Sequence, residues 1–249
     1  MPKQRVDQLL VDRGLAPSRA RARALLLAGR VRGKDRLYTT PGQALSDDIE
    51  LEVAPGRAFV SRGGEKLLAA LESWPLSVVG RVCLDIGAST GGFSDCLLQH
   101  GAARVYAVDV GYGQLDQSLR RDPRVVVMER QHARGLPPLD PAPSLVTMDV
   151  SFISARALLP AAAGAAAPAA DIIVLVKPQF EAGRDKVGKG GVVRRPGDRA
   201  AAVGAVAVWA RDRGWRLGGV LRSPLRGPAG NEEYLLWLRI AAAPRQRDG

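Results

Sequence analysis

The apolar and polar positions divide the chain into two stretches of different character. In the longer one, short apolar runs alternate with helical patterns. The runs "RVCLDI", "RVYAVDV", "RVVVME", "SLVTMDV" and "DIIVLV" have strand length. Between or after them lie "GGFSDCLLQH", "GQLDQSLR", "SARALLP" and the long "DRAAAVGAVAVWARDRG", which read as helices. That alternation predicts an α/β class protein with a doubly wound, Rossmann-like sheet. The last two runs, "WRLGGVLRS" and "EEYLLWLRI", follow each other without a helix. They predict a terminal antiparallel hairpin. Ahead of the first strand, "SRGGEKLLAALESW" reads as a helix with Leu67, Leu71 and Trp74 on its buried face and Lys66 flanking it.

Residues 1–53 read as a separate small α+β domain. "RVDQLLVDRGL" places Val6, Leu9, Leu10 and Arg13 at helical spacing, with Gly14 as the stop. A second helix begins at the N-cap Ser18, presents Ala20, Ala24 and Leu27 on one face and ends at Gly29. Two short strands are expected, in "RVRG" and "DIELEV". Pro and Gly in "APGRAFVSRGG" mark residues 54–63 as a linker, leaving 64–249 for the larger domain.

Charge sharpens this picture. The chain of 249 residues has a formal net charge of +11, which points to a polyanionic partner. Between Arg13 and Arg36 there are eight basic residues and one acid, Asp35. Arg19, Arg21 and Arg23 share a turn and a half, with no acid nearby in sequence to relieve their repulsion. That favours RNA or DNA over a merely solvated helix face. A membrane is not the expected partner. The longest charge-free run, 157–170, is too short and too interrupted by Pro160, Gly164 and Pro168 to cross about 30 Å of hydrocarbon. The N-terminus has no apolar stretch behind its charges, as a signal peptide would. Two cysteines, with Cys83 inside a strand pattern, fit a reducing cytosol rather than a disulfide framework.

The run "CLDIGASTGGF" is the first candidate for chemistry. A dinucleotide loop needs a second glycine where the pyrophosphate comes close, and here Ser89 holds that place. The alternative spacing is acid-x-Gly-x-Gly-x-Gly, read as Asp85, Gly87, Ser89 and Gly91. It suits S-adenosylmethionine, which has no phosphate to cradle. Asp109 ends the next strand ~20 residues on, where an acid accepts ribose hydroxyls. That acid would serve NAD equally well.

Lysines are rare here, six against thirty arginines. Lys177 stands at the carboxyl end of the strand "DIIVLV", where open α/β sheets bind ligands. Lysine can give up its proton, whereas arginine in practice cannot. Asp149 ends the preceding strand. Taken singly, Asp149 could cap a helix and Lys177 could snorkel. Their placement at neighbouring strand ends favours a site. Glu233 lies near the start of the last strand.

In chain order, Lys66, Asp149, Lys177 and Glu233 resemble the K-D-K-E tetrad of FtsJ-like ribose methyltransferases. Together with "SRGGEKL", "DIGASTGGFSDCLL", "DVGYGQL", "DVSFIS", "VKPQFE", "GGVVRRP" and "GNEEYLLWL", the whole chain resembles the TlyA family of rRNA ribose 2′-hydroxyl methyltransferases, also labelled haemolysins. Its first 50 or so residues resemble the S-four-type RNA-binding domain, and "RAFV" resembles the family's interdomain segment. The resemblance implies S-adenosylmethionine as cofactor, held by Asp85, Gly87, Ala88, Ser89, Thr90, Gly91, Gly92, Phe93, Asp109, Val110, His132 and Asp149. At His132 the family pattern leads one to expect Asn. The resemblance further implies RNA contacts by Arg5, Arg19, Arg21, Arg23, Arg30 and Lys34. Its implied substrate is cytidine in small- and large-subunit rRNA or ribosomal subunits, with no metal, a monomeric state and a cytoplasmic location.

Such a reaction makes modest demands. A ribose 2′-hydroxyl is a poor nucleophile, and the sulfonium donor's leaving group needs no acid. Alignment and removal of one proton therefore suffice. Lys177 is the expected base, oriented by Asp149 and Glu233, with Lys66 balancing their charge. Two other readings are a non-catalytic ribosome-assembly protein, which has no need of Lys177, and a pore-forming haemolysin, for which no span or barrel pattern is present.

Overall fold

The computed structural model describes residues 3–27, 29–34, 36–54 and 58–240. It divides into two compact units, Met1–Arg57 and Ala58–Gly249. Asp35 of the basic run, Pro55–Arg57 of the expected linker and 241–249 lie outside the described residues.

The first unit contains β1 (Lys3–Arg5), α1 (Val6–Asp12), α2 (Arg19–Leu27), β2 (Val31–Arg32), β3 (Leu37–Tyr38), β4 (Ala44–Ser46) and β5 (Glu52–Val53). β1 pairs with β4, and β2 lies between β3 and β5, all antiparallel. Ser18 caps α2 as expected, its Oγ accepting from Arg21 N at 3.3 Å. The face that α2 buries differs from the expectation. It consists of Ala22, Leu25 and Leu26, while Ala20 and Ala24 are exposed and Leu27 is 71% exposed. Two adjacent leucines carry more apolar area than two alanines, so they set the helix's rotation on the small core of Val6, Leu9, Leu10, Val31 and Tyr38.

The arginines also differ from the sequence reading. Asp7 is fully buried and is held by Arg5 at 3.0 Å and Arg19 at 3.2 Å. Arg19 therefore has an acid partner from α1, which spacing along α2 could not show. The hydrogen bond from Arg5 is the main reason that the Asp7 carboxyl lies below its ordinary range. Arg30 donates Nε and Nη2 to the Ala54 carbonyl at 3.1 and 2.7 Å. Arg21 and Arg23 have no ion-pair partner among the described residues, and Arg32, Lys34 and Arg36 line one shallow depression.

The second unit runs α3 (Gly63–Ser73), β6 (Val82–Ile86), α4 (Gly92–Gln99), β7 (Arg104–Val108), α5 (Gln117–Arg120), β8 (Val125–Met128), β9 (Leu145–Met148), α6 (Leu159–Ala165), β10 (Asp171–Val176), α7 (Pro178–Glu181), α8 (Pro196–Arg211), β11 (Arg216–Arg222) and β12 (Tyr234–Arg239). Its seven-stranded sheet has the order β11-β12-β10-β9-β6-β7-β8. The strands from β10 to β8 are mutually parallel, while β12 runs antiparallel to β10 and β11 antiparallel to β12. The expected doubly wound sheet and terminal hairpin are both present. β10 is buried along its whole length because both sheet faces are covered. Its Ile173 and Leu175 join the core that includes Leu67 and Leu97. Its Ile172, Val174 and Val176 join the core that includes Leu159 and Val206.

Candidate active site

Strand order reverses between β6 and β9, which lie side by side although β7 and β8 intervene in sequence. In such sheets the chains leaving the two strands diverge and open a crevice at their carboxyl ends. Gly87 leaves β6 and Asp149 leaves β9. The two backbones come so close that a Cβ on Gly87 would lie 2.3 Å from the Asp149 carbonyl oxygen. Gly87 also has φ +82°, so only glycine fits. Ser89 has φ +49°. Its N–H donates to Asp109 Oδ2 at 2.8 Å, and Gly111 N donates to Oδ1 at 2.7 Å. Each carboxylate oxygen keeps a second acceptor direction.

Around this crevice lies a cavity of about 580 Å³. Of the expected cofactor residues, Gly87, Ser89, Asp109, Val110, His132 and Asp149 line it. Asp85, Ala88, Thr90, Gly91, Gly92 and Phe93 do not. Asp85 stands behind the loop, fully buried, accepting from Ser94 Oγ at 2.7 Å and Thr147 Oγ1 at 2.9 Å. It ties α4 to β9 rather than facing a ligand. Burial pushes its carboxyl up to about 6, against the opposing effect of those two hydrogen bonds. Phe93 packs in the core, and Gly91 starts α4 with φ +96°. Sequence reasoning missed Gln114, Gln131, Ser151, Phe152 and Ile153 on the cavity wall. Gln114 and Ser151 do fall within quoted motifs, but nothing in their spacing marks them as lining residues.

His132 caps a 3-10 turn at Ala133–Gly135, its Nδ1 accepting from Arg134 N at 3.1 Å. An asparagine side-chain oxygen caps a turn in the same way. With Nδ1 an acceptor, a neutral ring carries its proton on Nε2, so His132 offers the cavity a donor.

The four tetrad residues form two ion pairs. Lys177 Nζ lies 2.7 Å from Asp149 Oδ1 and donates to Ser151 Oγ at 2.7 Å. Its approach to Oδ1 is not along a hydrogen-bonding direction, which leaves that oxygen buried without a hydrogen bond. Lys66 Nζ donates to Glu233 Oε2 at 2.5 Å, with both groups buried. Glu233 is thus partnered by Lys66 rather than by Lys177. Lys177 and Glu233 meet on the wall of a second cavity of about 350 Å³, and Ser151 and Phe152 border both cavities. Phe152 is 92% exposed at φ +65°, its ring 5.3 Å from that of Phe180.

Glu181 braces this arrangement. Its carboxylate is buried and accepts from Ser154 Oγ at 2.6 Å, Ala155 N at 2.5 Å and Arg156 Nε at 3.2 Å. The segment carrying Asp149 and Ser151 is thereby tied to the turn of α7 that follows Lys177. Among the described residues, no three His, Cys, Asp or Glu side chains are grouped to hold a metal, and no helix is long and apolar enough to cross a membrane.

Comparison with known proteins identifies the family. The profile of the FtsJ-like methyltransferase family matches residues 59–240. The 16S/23S rRNA (cytidine-2′-O)-methyltransferase TlyA of Mycobacterium tuberculosis is 54% identical, over 95% of this chain and 90% of its own length. A solved structure titled "Putative hemolysin from Streptococcus thermophilus" superposes with a TM-score of 0.74 at 42% identity, covering 98% of this chain and 90% of that one. Magnesium protoporphyrin IX methyltransferase from Synechocystis PCC 6803, with bound SAH, shares the fold alone. It has a TM-score of 0.52 at 16% identity and covers 76% of this chain and 90% of that one.

Proposed function

This chain belongs to the FtsJ-like methyltransferase family, and from that premise we propose that it transfers a methyl group from S-adenosylmethionine to the 2′-hydroxyl of cytidine in ribosomal RNA. The observation that carries the reading is the meeting of two cavities at the Asp149–Lys177 pair, one beneath the glycine loop and one bearing Lys177 and Glu233.

The first cavity fits the cofactor. Asp109 has free acceptor directions for ribose hydroxyls, and His132 can donate toward a base. Val110, Ala133 and Ile153 give an apolar wall, and Asp149 Oδ1, ion-paired with Lys177 but without a hydrogen bond, can still accept from a donor. Bound there, S-adenosylmethionine supplies an electrophilic methyl whose leaving group is a neutral thioether.

The remaining work falls to the chain. Lys177, in its neutral form, accepts the proton of the 2′-hydroxyl as that oxygen attacks the methyl carbon. Asp149 and Ser151 hold the Lys177 amine at its place on the wall. Lys66 neutralises Glu233, so that a buried carboxylate stands near the second cavity without an unpaired charge. The first unit supplies RNA affinity through Arg21, Arg23 and Lys34, while Arg5, Arg19 and Arg30 also hold that unit's own fold. The relatives' haemolysin name describes no feature of this site.

The test is transfer of labelled methyl from S-adenosylmethionine to ribosomal subunits lacking the modification, followed by digestion to nucleosides. Label in 2′-O-methylcytidine is the expected result. Label in a base, or none in RNA, would overturn the reading.

A further inference from the structure

The second cavity is built from side chains that already have partners, with one exception. Lys177 is engaged by Asp149 and Ser151, and Glu233 by Lys66. Asn231 accepts from Val193 N at 3.0 Å and donates to Gly191 O at 2.8 Å, which occupies its amide at both ends. Gln179 also lines the cavity. Its Oε1 is buried and receives no hydrogen bond among the described residues.

An amide oxygen withdrawn from water without a donor is costly, and native structures seldom leave one so except where a ligand, a water or an ion completes it. Gln179 lies two residues after Lys177 on the single turn of α7, so the backbone keeps the two residues side by side. The rest of the wall is largely apolar and aromatic, including Phe152, Phe180 and Pro228. A nucleobase meeting that wall is therefore distinguished by the groups on its edge.

We propose that Gln179 is a specificity-determining residue that selects cytosine over uracil, its Oε1 accepting a hydrogen bond from the exocyclic amino group of the target base. Uracil presents a carbonyl oxygen at that point. With Oε1 toward the pocket, two acceptors would then face each other, and pairing with uracil would require the amide to turn over and present Nε2. A site built to hydrogen-bond one substrate group rejects the analogue lacking it more strongly than an apolar pocket can reject an added group. The assignment rests on the reading that the second cavity takes the target nucleotide.

The experiment measures methyl transfer to subunits carrying either cytidine or uridine at the methylated position. The readout is the ratio of the two kcat/KM values, which cancels effects common to both substrates. The wild-type enzyme favours cytidine by about 10- to 100-fold, the range expected when a buried acceptor is left unpaired. Gln179→Leu, of similar size but with no acceptor, brings the ratio toward unity and leaves cofactor affinity unchanged. Gln179→Glu, whose carboxylate only accepts, keeps the preference for cytidine. A ratio unchanged in Gln179→Leu would overturn this assignment while leaving the methyltransferase reading intact. Transfer by the wild-type enzyme to neither substrate would sink that reading and this assignment with it.

Discussion

Asp85 shows how a single residue of a conspicuous motif can have a different task from its neighbours. Its carboxyl titrates at about 6 in the fold, against about 4 in an unfolded chain. The folded state therefore holds the proton more tightly. That contribution is fully present below about pH 4 and is lost as pH rises through 6, leaving a cost of roughly 2–3 kcal/mol for a buried charge at neutral pH. Asp85→Asn removes the titration. Its unfolding free energy in urea, relative to wild type, should rise between pH 4 and 7, and an equal pH dependence in both proteins would contradict the assigned environment. Sequence spacing identified Asp85 as part of the loop but not which way it faced, because alternation along a strand buried on both faces carries no such signal. Lys177 and Asp149 were legible for the opposite reason: each is a charge directly after an apolar strand. Gln179 was not, since what marks it is the absence of a partner in three dimensions.

At the scale of elements, the five parallel strands and the terminal hairpin were legible because each is four or more residues of nearly continuous apolar character. Strands β1, β3 and β4 were not. They fall outside the runs that marked β2 and β5, and α1 and α2 give them a core to close. The tie between the β9 and β10 exits was equally hidden, since it depends on one carboxylate reaching across 25 to 27 positions. We expect Glu181→Gln to lower turnover in methyl transfer by on the order of 10- to 100-fold through misplacement of Lys177 and Ser151. Cofactor affinity, measured by calorimetry, should fall less than turnover, because Asp109 and the glycine loop lie on earlier strands although Asp149 and Ser151 also border the first cavity. A fall in cofactor affinity with turnover intact would show that Glu181 supports the first cavity instead.

For the whole molecule, charge and chemistry are divided between units. Residues 1–57 carry eleven basic and seven acidic side chains, and the remainder carries twenty-five and eighteen, so the cationic excess belongs to both. Within the first unit, Arg21 and Arg23 are the arginines to alter, since Arg19 also buries Asp7. Replacing both with Gln should weaken binding to subunits and reduce the slope of log affinity against log salt by about 1–2. An unchanged slope would make them a solvated helix face. The central claim, that this fold moves a methyl group by proton removal at Lys177, is tested most directly by Lys177→Arg. Methyl transfer to unmodified subunits is measured alongside S-adenosylmethionine affinity. Arginine keeps the positive charge and can pair with Asp149, but it cannot accept a proton at any usable pH. The account predicts normal cofactor binding with almost no transfer; near-normal transfer would contradict it.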